Sequence, residues 1–290
     1  MNRSEDDAAF GRPASTDDAG PGLDLPLSRA LGPPPDAQRA ARRLRPRDAA
    51  SLLLIDRSRD TPRLLLGRRA GRHAFMPGLF VFPGGRRDAA DLRHPVAAGL
   101  PHPVERRLMA GLGRRASPAL ARALAVAALR ELQEEAGLSI GRPLSGPSAT
   151  LPRSQAPALS SKSGTSAGKV IRNQPSALSF LPDAANLRYI ARAVTPPGHV
   201  RRYDTHFFAL FADEAGIDTA ATRDSLELEE LQWIALNQAL SVPPPVPMAD
   251  ITRAILSEMA RRLLADPDLA RDMPVPFYHS RRGCVVRDLM

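Results

Sequence analysis

The segment Arg130-Glu131-Leu132-Gln133-Glu134-Glu135-Ala136-Gly137-Leu138 places three carboxylates within one and a half helical turns. It closes the clearest helical stretch of the chain, Ala119 to Ala136, which is Ala-rich, free of Gly and Pro, and followed by Gly137 as a C-terminal cap. At about 100° per residue, Glu131, Glu134 and Glu135 fall within roughly 100° of one another, while Ala125, Leu129, Leu132 and Ala136 form a separate, core-facing stripe. Like charges at spacings of three and four repel, and near them in sequence only Arg130 is placed to offset them, as the i,i+4 partner of Glu134. A bound divalent cation would turn that liability into a site, and carboxylate oxygens favour hard ions, Mg²⁺ or Mn²⁺ before Zn²⁺. A solvated acidic face would also account for the helix taken alone. The residues upstream weigh against it.

There, Phe80-Val81-Phe82 is a strand stopped by Pro83-Gly84-Gly85, where two glycines let the backbone turn sharply and approach a ligand without Cβ interference. Before it, Ser51 to Ile55 and Arg63 to Leu66 are apolar runs joined by the turn residues Asp56 to Pro62, a hairpin of buried strands. After the helix, Leu187 to Val194, Tyr203 to Phe211 and Leu231 to Ile234 read as strands, and Ile251 to Ala265 carries a helical apolar stripe. Strands surrounding two helices predict a mixed α/β domain over residues 47–266. Residues 1–46 read as a disordered leader, 92–117 as an insertion with a short helix near Val104 to Leu112, 141–178 as a low-complexity loop and 267–290 as a C-terminal tail.

Composition agrees with one domain bearing tails and inserts: 43% of the 290 residues are hydrophobic, and the 29 prolines concentrate in a few stretches unsuited to packing. The formal charge of +9 invites nucleic acid, an anionic surface or a polyphosphorylated small molecule. Lys162 and Lys169 are the only lysines, so the excess is dispersed Arg, and 4% aromatic residues are few for a base-stacking surface. Nucleic acid is therefore disfavoured. No apolar run reaches the roughly 18 to 20 residues of a membrane span, and Ser4-Glu5-Asp6-Asp7 is acidic where a signal peptide is basic, so a cytoplasmic protein is expected. Cys284 is the only cysteine, and the six histidines show no metal-binding spacing.

Together the loop and the helix resemble the signature of the Nudix hydrolases: a Gly, five residues, Glu, seven residues, then Arg-Glu-apolar-x-Glu-Glu-x-Gly-apolar. The second half is complete from Arg130 to Leu138. In the first half Gly85 is the opening glycine, Asp91 stands where the family has Glu, and 38 residues separate Asp91 from Arg130. A long insertion between the halves leaves each intact at a modest loop-closure cost. The resemblance is closest to the split-box branch that includes peroxisomal coenzyme A diphosphatases. Leu65-Leu66-x-Arg68-x-Ala70, Gly78 and Phe82-Pro83-Gly84-Gly85 are similar to the coenzyme A motif of that branch, with Gly67 in place of its Thr and Ala74 in place of its second Arg, although Arg72 lies nearby. Segments at Ala193 to Pro197, Arg202 to Phe208 and Glu227 to Trp233 resemble its later strands.

The resemblance implies an α/β/α sandwich with a mixed sheet and metal-dependent cleavage of a nucleoside diphosphate linked to another moiety, coenzyme A or acyl-coenzyme A first. It further implies Glu131 as general base or water-orienting ligand, steadied by Arg130, and Glu134, Glu135 and the Gly85 carbonyl as metal ligands; Glu227 or Glu230 is a candidate additional carboxylate, and a solvated strand-end cluster accounts equally for that pair. Gly84, Arg68 and Arg202 are the candidate substrate contacts, the two arginines because guanidinium binds phosphate bidentately. The competing expectations are a Nudix hydrolase of another substrate, such as ADP-ribose or NADH, and a catalytically silent binding module of the same fold.

Overall fold

The computed structural model describes residues 44–71, 76–144, 178 and 180–290. The leader up to residue 43, the loop at 145–177 and the part of the coenzyme A motif at Arg72 and Ala74 lie outside the described residues.

β1 (Arg47–Asp56) organises the sheet. Its run Leu52-Leu53-Leu54-Ile55 is fully buried, because successive side chains enter cores on opposite faces. Leu52 and Leu54 pack with the helix α2 (Pro118–Ala136), whereas Leu53 and Ile55 pack with the helix α4 (Asp250–Ala265). The predicted hairpin is present: β2 (Arg63–Arg69) lies antiparallel to β1, with Ile55 opposite Leu64. On its other side β1 runs parallel to β8 (Tyr203–Phe211), which pairs antiparallel with β7 (Arg188–Val194). β3 (Phe80–Val81) and β9 (Leu228–Ala235) both pair with β2. The result is a mixed sheet between helices, the expected α/β/α sandwich.

Three differences from the sequence reading matter for the site. Pro83-Gly84-Gly85 does not end pairing, since Gly84–Arg86 forms β4 against Ala49, Ala50 and Ser51 of β1. The insertion at 92–117 is built into the fold. Its helix α1 (His102–Leu112) buries Leu108 and Leu112 beside α2, and Arg115 beyond it reaches Asp48 and Asp204. The expected tail at 267–290 carries β10 (Pro276–Arg281) and β11 (Cys284–Leu289), and β10 joins the sheet parallel to β7. A further ribbon, β5 (Gly141–Pro143) with β6 (Phe180–Pro182), brackets the low-complexity loop, and α3 (Leu236–Ala239) is a single turn after β9. At the leader boundary, the Leu44 carbonyl already accepts a hydrogen bond from Arg202. Among the described residues no helix is long and apolar enough to cross a membrane.

Asp204 ties the insertion to the sheet: its carboxylate accepts from Arg192 Nε and Nη2, each at 2.7 Å, and from Arg115 Nη2 at 3.0 Å. Burial pushes its pKa up, but the Arg192 hydrogen bonds with the charges of Arg192 and Arg115 outweigh this and hold it below the ordinary value. Stabilisation by a depressed carboxylate is complete above its unfolded value, about 4, and is lost as the pH falls through the depressed one. Asp204→Asn is therefore expected to cost about 2 kcal/mol at neutral pH, the worth of hydrogen bonds to a charged group. Urea denaturation of both proteins at pH 7 and at pH 3 checks this, the gap between them narrowing at the lower pH.

Candidate active site

Helix α2 is positioned by signals at both ends. Ser117 Oγ accepts from the Leu120 N–H at 3.1 Å, Pro118 opens the helix, and Gly137 closes it in the left-handed region at φ 72°, its N–H donating to the Gln133 carbonyl. The helix is packed on nearly all sides, and that alters the expected acidic edge. Glu131 and Glu135 are buried, at 8% and 2% exposure, while Glu134 faces outward. The carboxylates are thus not one exposed row. Their helix is clamped between the sheet and the Gly84-Gly85 turn, which covers two of the three.

The turn and the helix interlock through the glycines. The Gly84 N–H donates to Glu135 Oε2 at 2.7 Å. A Cβ on Gly85 would lie 2.4–2.6 Å from the carboxylate atoms of Glu131, so the glycine is required by the acid seated against it. A Cβ on Gly84 would strike β1 itself, 2.2 Å from Ser51 Oγ and 2.6 Å from the Ala50 carbonyl. The two halves of the split signature, separated by a long insertion, are in contact here.

Arg130 joins three acidic groups of the turn and the helix end, Asp91, Glu131 and Glu134. Its Nη1 donates to Glu131 Oε1 at 2.8 Å and to Glu134 Oε2 at 2.9 Å; its Nε donates to Asp91 Oδ1 at 3.1 Å, and its Nη2 to the Arg86 carbonyl at 2.9 Å. Burial alone would lower the pKa of the guanidinium, but Glu131, Asp91 and Glu134 raise it above the ordinary value. Asp91, 2% exposed, is a site residue to which the sequence reading assigned no role. Its place after Gly85 and five intervening residues, where the family has Glu, was the available signal.

The buried acids repel one another. Burial pushes the Glu131 carboxyl up to about 7, Arg130 pulling the other way while Glu134 and Glu227 add to the rise. Glu135 is raised well above the ordinary range by burial and by Glu131, against the Gly84 hydrogen bond and the nearby Arg69. Glu227 lines the same cavity, as expected of an additional carboxylate. Among the described residues no three acidic or imidazole side chains already converge on one point, because Glu131 and Glu134 are turned onto Arg130 and Glu135 onto Gly84.

The acids open into a cavity of about 1360 Å³. Gly84, Gly85, Arg130, Glu131, Glu134, Glu135, Glu227 and Arg202 all line it. Arg68 does not. It reaches Glu230 at 2.7 Å and Glu229 at 3.4 Å on β9, while its neighbour Arg69 lines the cavity, because adjacent residues of a strand face opposite ways. Gly67, where the coenzyme A motif has Thr, is closely covered by β9: a Cβ there would lie 2.8 Å from Leu231 Cδ2 and 3.2 Å from Leu228 Cβ, so a side chain would require Leu231 to shift. Arg202 is engaged with its own backbone neighbourhood, donating from Nε to the Thr195 carbonyl at 3.0 Å and from Nη1 to the Leu44 carbonyl at 2.7 Å. Tyr278, Cys284 and Val285 of the C-terminal hairpin form part of the wall.

Comparison with known proteins bears on this geometry. The family model described as the NUDT19 Nudix domain matches residues 46–242. Among solved structures, the chain is similar to a Nudix hydrolase from Alicyclobacillus acidocaldarius, with 26% identity over 78% of this chain and 94% of that one and a TM-score of 0.49. It is also similar to the M. smegmatis Nudix hydrolase RenU, with 16% identity over 76% and 88% and a TM-score of 0.38. A third is the Nudix domain of Shewanella oneidensis NrtR complexed with ADP ribose, with 11% identity over 76% and 90% and a TM-score of 0.39. No curated protein matches.

Proposed function

Since the chain belongs to the Nudix hydrolases, through the family described as the NUDT19 Nudix domain, we propose that it cleaves the diphosphate of a nucleoside diphosphate linked to another moiety, with coenzyme A or acyl-coenzyme A preferred. The observation that carries this reading is the seating of Glu131 and Glu135 against Gly85 and Gly84, which rejoins the split signature at one end of a large cavity.

The donor set suits Mg²⁺ or Mn²⁺: it consists of oxygen only, and two of its carboxylates are buried together at an electrostatic cost that a cation would remove. Glu131, Glu134, Glu135 and the Gly85 carbonyl would hold the ion, with Glu227 at hand. Bound there, the ion supplies charge neutralisation for the diphosphate and acidity for a water. The chain's own residues do the rest. Arg130 holds Glu131 by Oε1, leaving Oε2 to accept the proton of the attacking water. Asp91 and the Arg86 carbonyl fix the Arg130 guanidinium in turn. Hydrolysis of coenzyme A adds water across the phosphoanhydride and yields adenosine 3′,5′-bisphosphate and 4′-phosphopantetheine.

The size of the cavity and its apolar wall at Val194, Phe207 and Val285 support a substrate with a long, partly apolar arm. Comparing kcat/KM for coenzyme A, ADP-ribose, NADH and nucleoside triphosphates with Mg²⁺ or Mn²⁺ tests the choice, since that ratio reports differential transition-state binding. Coenzyme A is expected to lead. An ADP-ribose or NADH value about tenfold higher would retain the hydrolase and remove coenzyme A, a difference of about 1.4 kcal/mol in transition-state binding.

A further inference from the structure

At the mouth of the cavity, away from the acids, Arg45, Arg47 and Arg201 stand exposed on its lining. They come from two segments that the fold brings side by side: Arg47 is in register with Tyr203 on the parallel strand β8, and the Arg47 N–H donates to the Arg202 carbonyl at 3.0 Å. Arg202 fastens the arrangement through Leu44 and Thr195, which makes it the positioning residue of the group.

The neighbouring carboxylates do not neutralise this cluster. Asp48, next to Arg47, points to the other side of β1, where it meets Arg115 at 2.5 Å and Arg87 at 3.6 Å, and Asp204 is taken by Arg192 and Arg115. Among the described residues Arg45, Arg47 and Arg201 have no acidic partner, and the fold brings all three to one stretch of the cavity lining. Three arginines on one stretch of lining without a counter-charge offer an anion charge-assisted hydrogen bonds.

We infer that Arg45, Arg47 and Arg201 form a second anion subsite, which binds a phosphate monoester carried by the nucleotide part of the substrate in addition to the diphosphate at the acidic end. The inference rests on the hydrolase reading of the same cavity. Ala50 lies opposite Gly85, and three residues of extended strand, roughly 10 Å, separate it from Arg47, short enough for one nucleotide to reach both ends. The subsite would select 3′- or 2′-phosphorylated adenosine diphosphates over their unphosphorylated counterparts.

Binding without turnover tests this directly. Calorimetry would compare adenosine 3′,5′-bisphosphate and adenosine 2′,5′-bisphosphate with adenosine 5′-monophosphate, on the wild type and on the Arg47→Gln/Arg201→Gln double variant. At least one bisphosphate is expected to bind the wild type about tenfold more tightly than the monophosphate, and the double variant is expected to bring that ratio within about twofold of unity. Equal affinities in the wild type, or a preference that survives in the variant, would overturn the subsite. Turnover separates it from the substrate reading, because coenzyme A and dephospho-coenzyme A differ by one phosphate, as do NADPH and NADH. Coenzyme A hydrolysed no faster than its dephospho form overturns the subsite and leaves coenzyme A standing. NADPH preferred over NADH, with coenzyme A inert, supports the subsite and removes coenzyme A.

Discussion

Glu135→Gln is expected to lower kcat by about 10²- to 10⁴-fold, the several kcal/mol that a displaced metal ligand contributes to the transition state. Glutamine keeps an oxygen for the Gly84 N–H, so the contact between turn and helix survives while the charge is lost. The fold gains from the change. Burial and the Glu131 charge raise the Glu135 carboxyl, and ionising such a group costs stability progressively as the pH climbs from the ordinary carboxylate range to the raised value. With chelator present, the variant should therefore melt no lower than the wild type, by a margin that widens with pH over that interval. Glu134→Gln should lose activity similarly with little change in melting at any pH, because its exposed pairing with Arg130 is of a kind worth at most about 1 kcal/mol. Full activity in both variants would remove the metal-site reading. A fall in melting temperature for Glu135→Gln would contradict the electrostatic account of its burial.

Gly84→Ala and Gly85→Ala, adjacent in sequence, are expected to fail differently. At Gly84 the added methyl meets the backbone of β1, with Ser51 Cα at 2.7 Å and the Ala50 carbonyl at 2.6 Å, and a central strand cannot retreat. Overpacking of this kind costs about 3 kcal/mol, so the loss should appear as a lower melting temperature and poorer yield. At Gly85 the methyl meets only the end of the Glu131 side chain, which can swing away by releasing Arg130. That variant should remain folded and lose kcat by about 10²- to 10³-fold, as when one preorganised group is displaced. Thermal melting and single-turnover kinetics on the two proteins decide it, and an active Gly85→Ala would show that Glu131 need not sit against the turn.

How much of this was legible beforehand follows from the range over which each signal acts. Helix α2 was readable almost to the residue, since Ala propensity, the absence of Gly and Pro and the Gly137 cap are all local. The hairpin β1–β2, the strands β7 and β8, and α4 were equally marked by period and turn residues. The identity of the acidic residues, and the glycines meant to meet them, stood in the chain as a split motif. The hairpin β10–β11 left no such mark: its residues are half-buried or exposed apart from Pro276, so no continuous apolar pattern announced it.

The local chemistry was therefore written in the chain itself: a helix ending in three carboxylates, a double-glycine turn after a buried strand, and a mixed α/β order of elements. Tertiary structure alone decided which groups those residues would meet. It buried Glu131 and Glu135 and left Glu134 outside, gave Arg130 a third acid in Asp91, turned Arg69 rather than Arg68 into the cavity, and set Arg47 beside Arg202. The reason is that period and propensity report only neighbours along the chain. Desolvation, ion pairing and the facing of a strand's two sides depend on elements far apart in sequence that pack together only when the sheet closes.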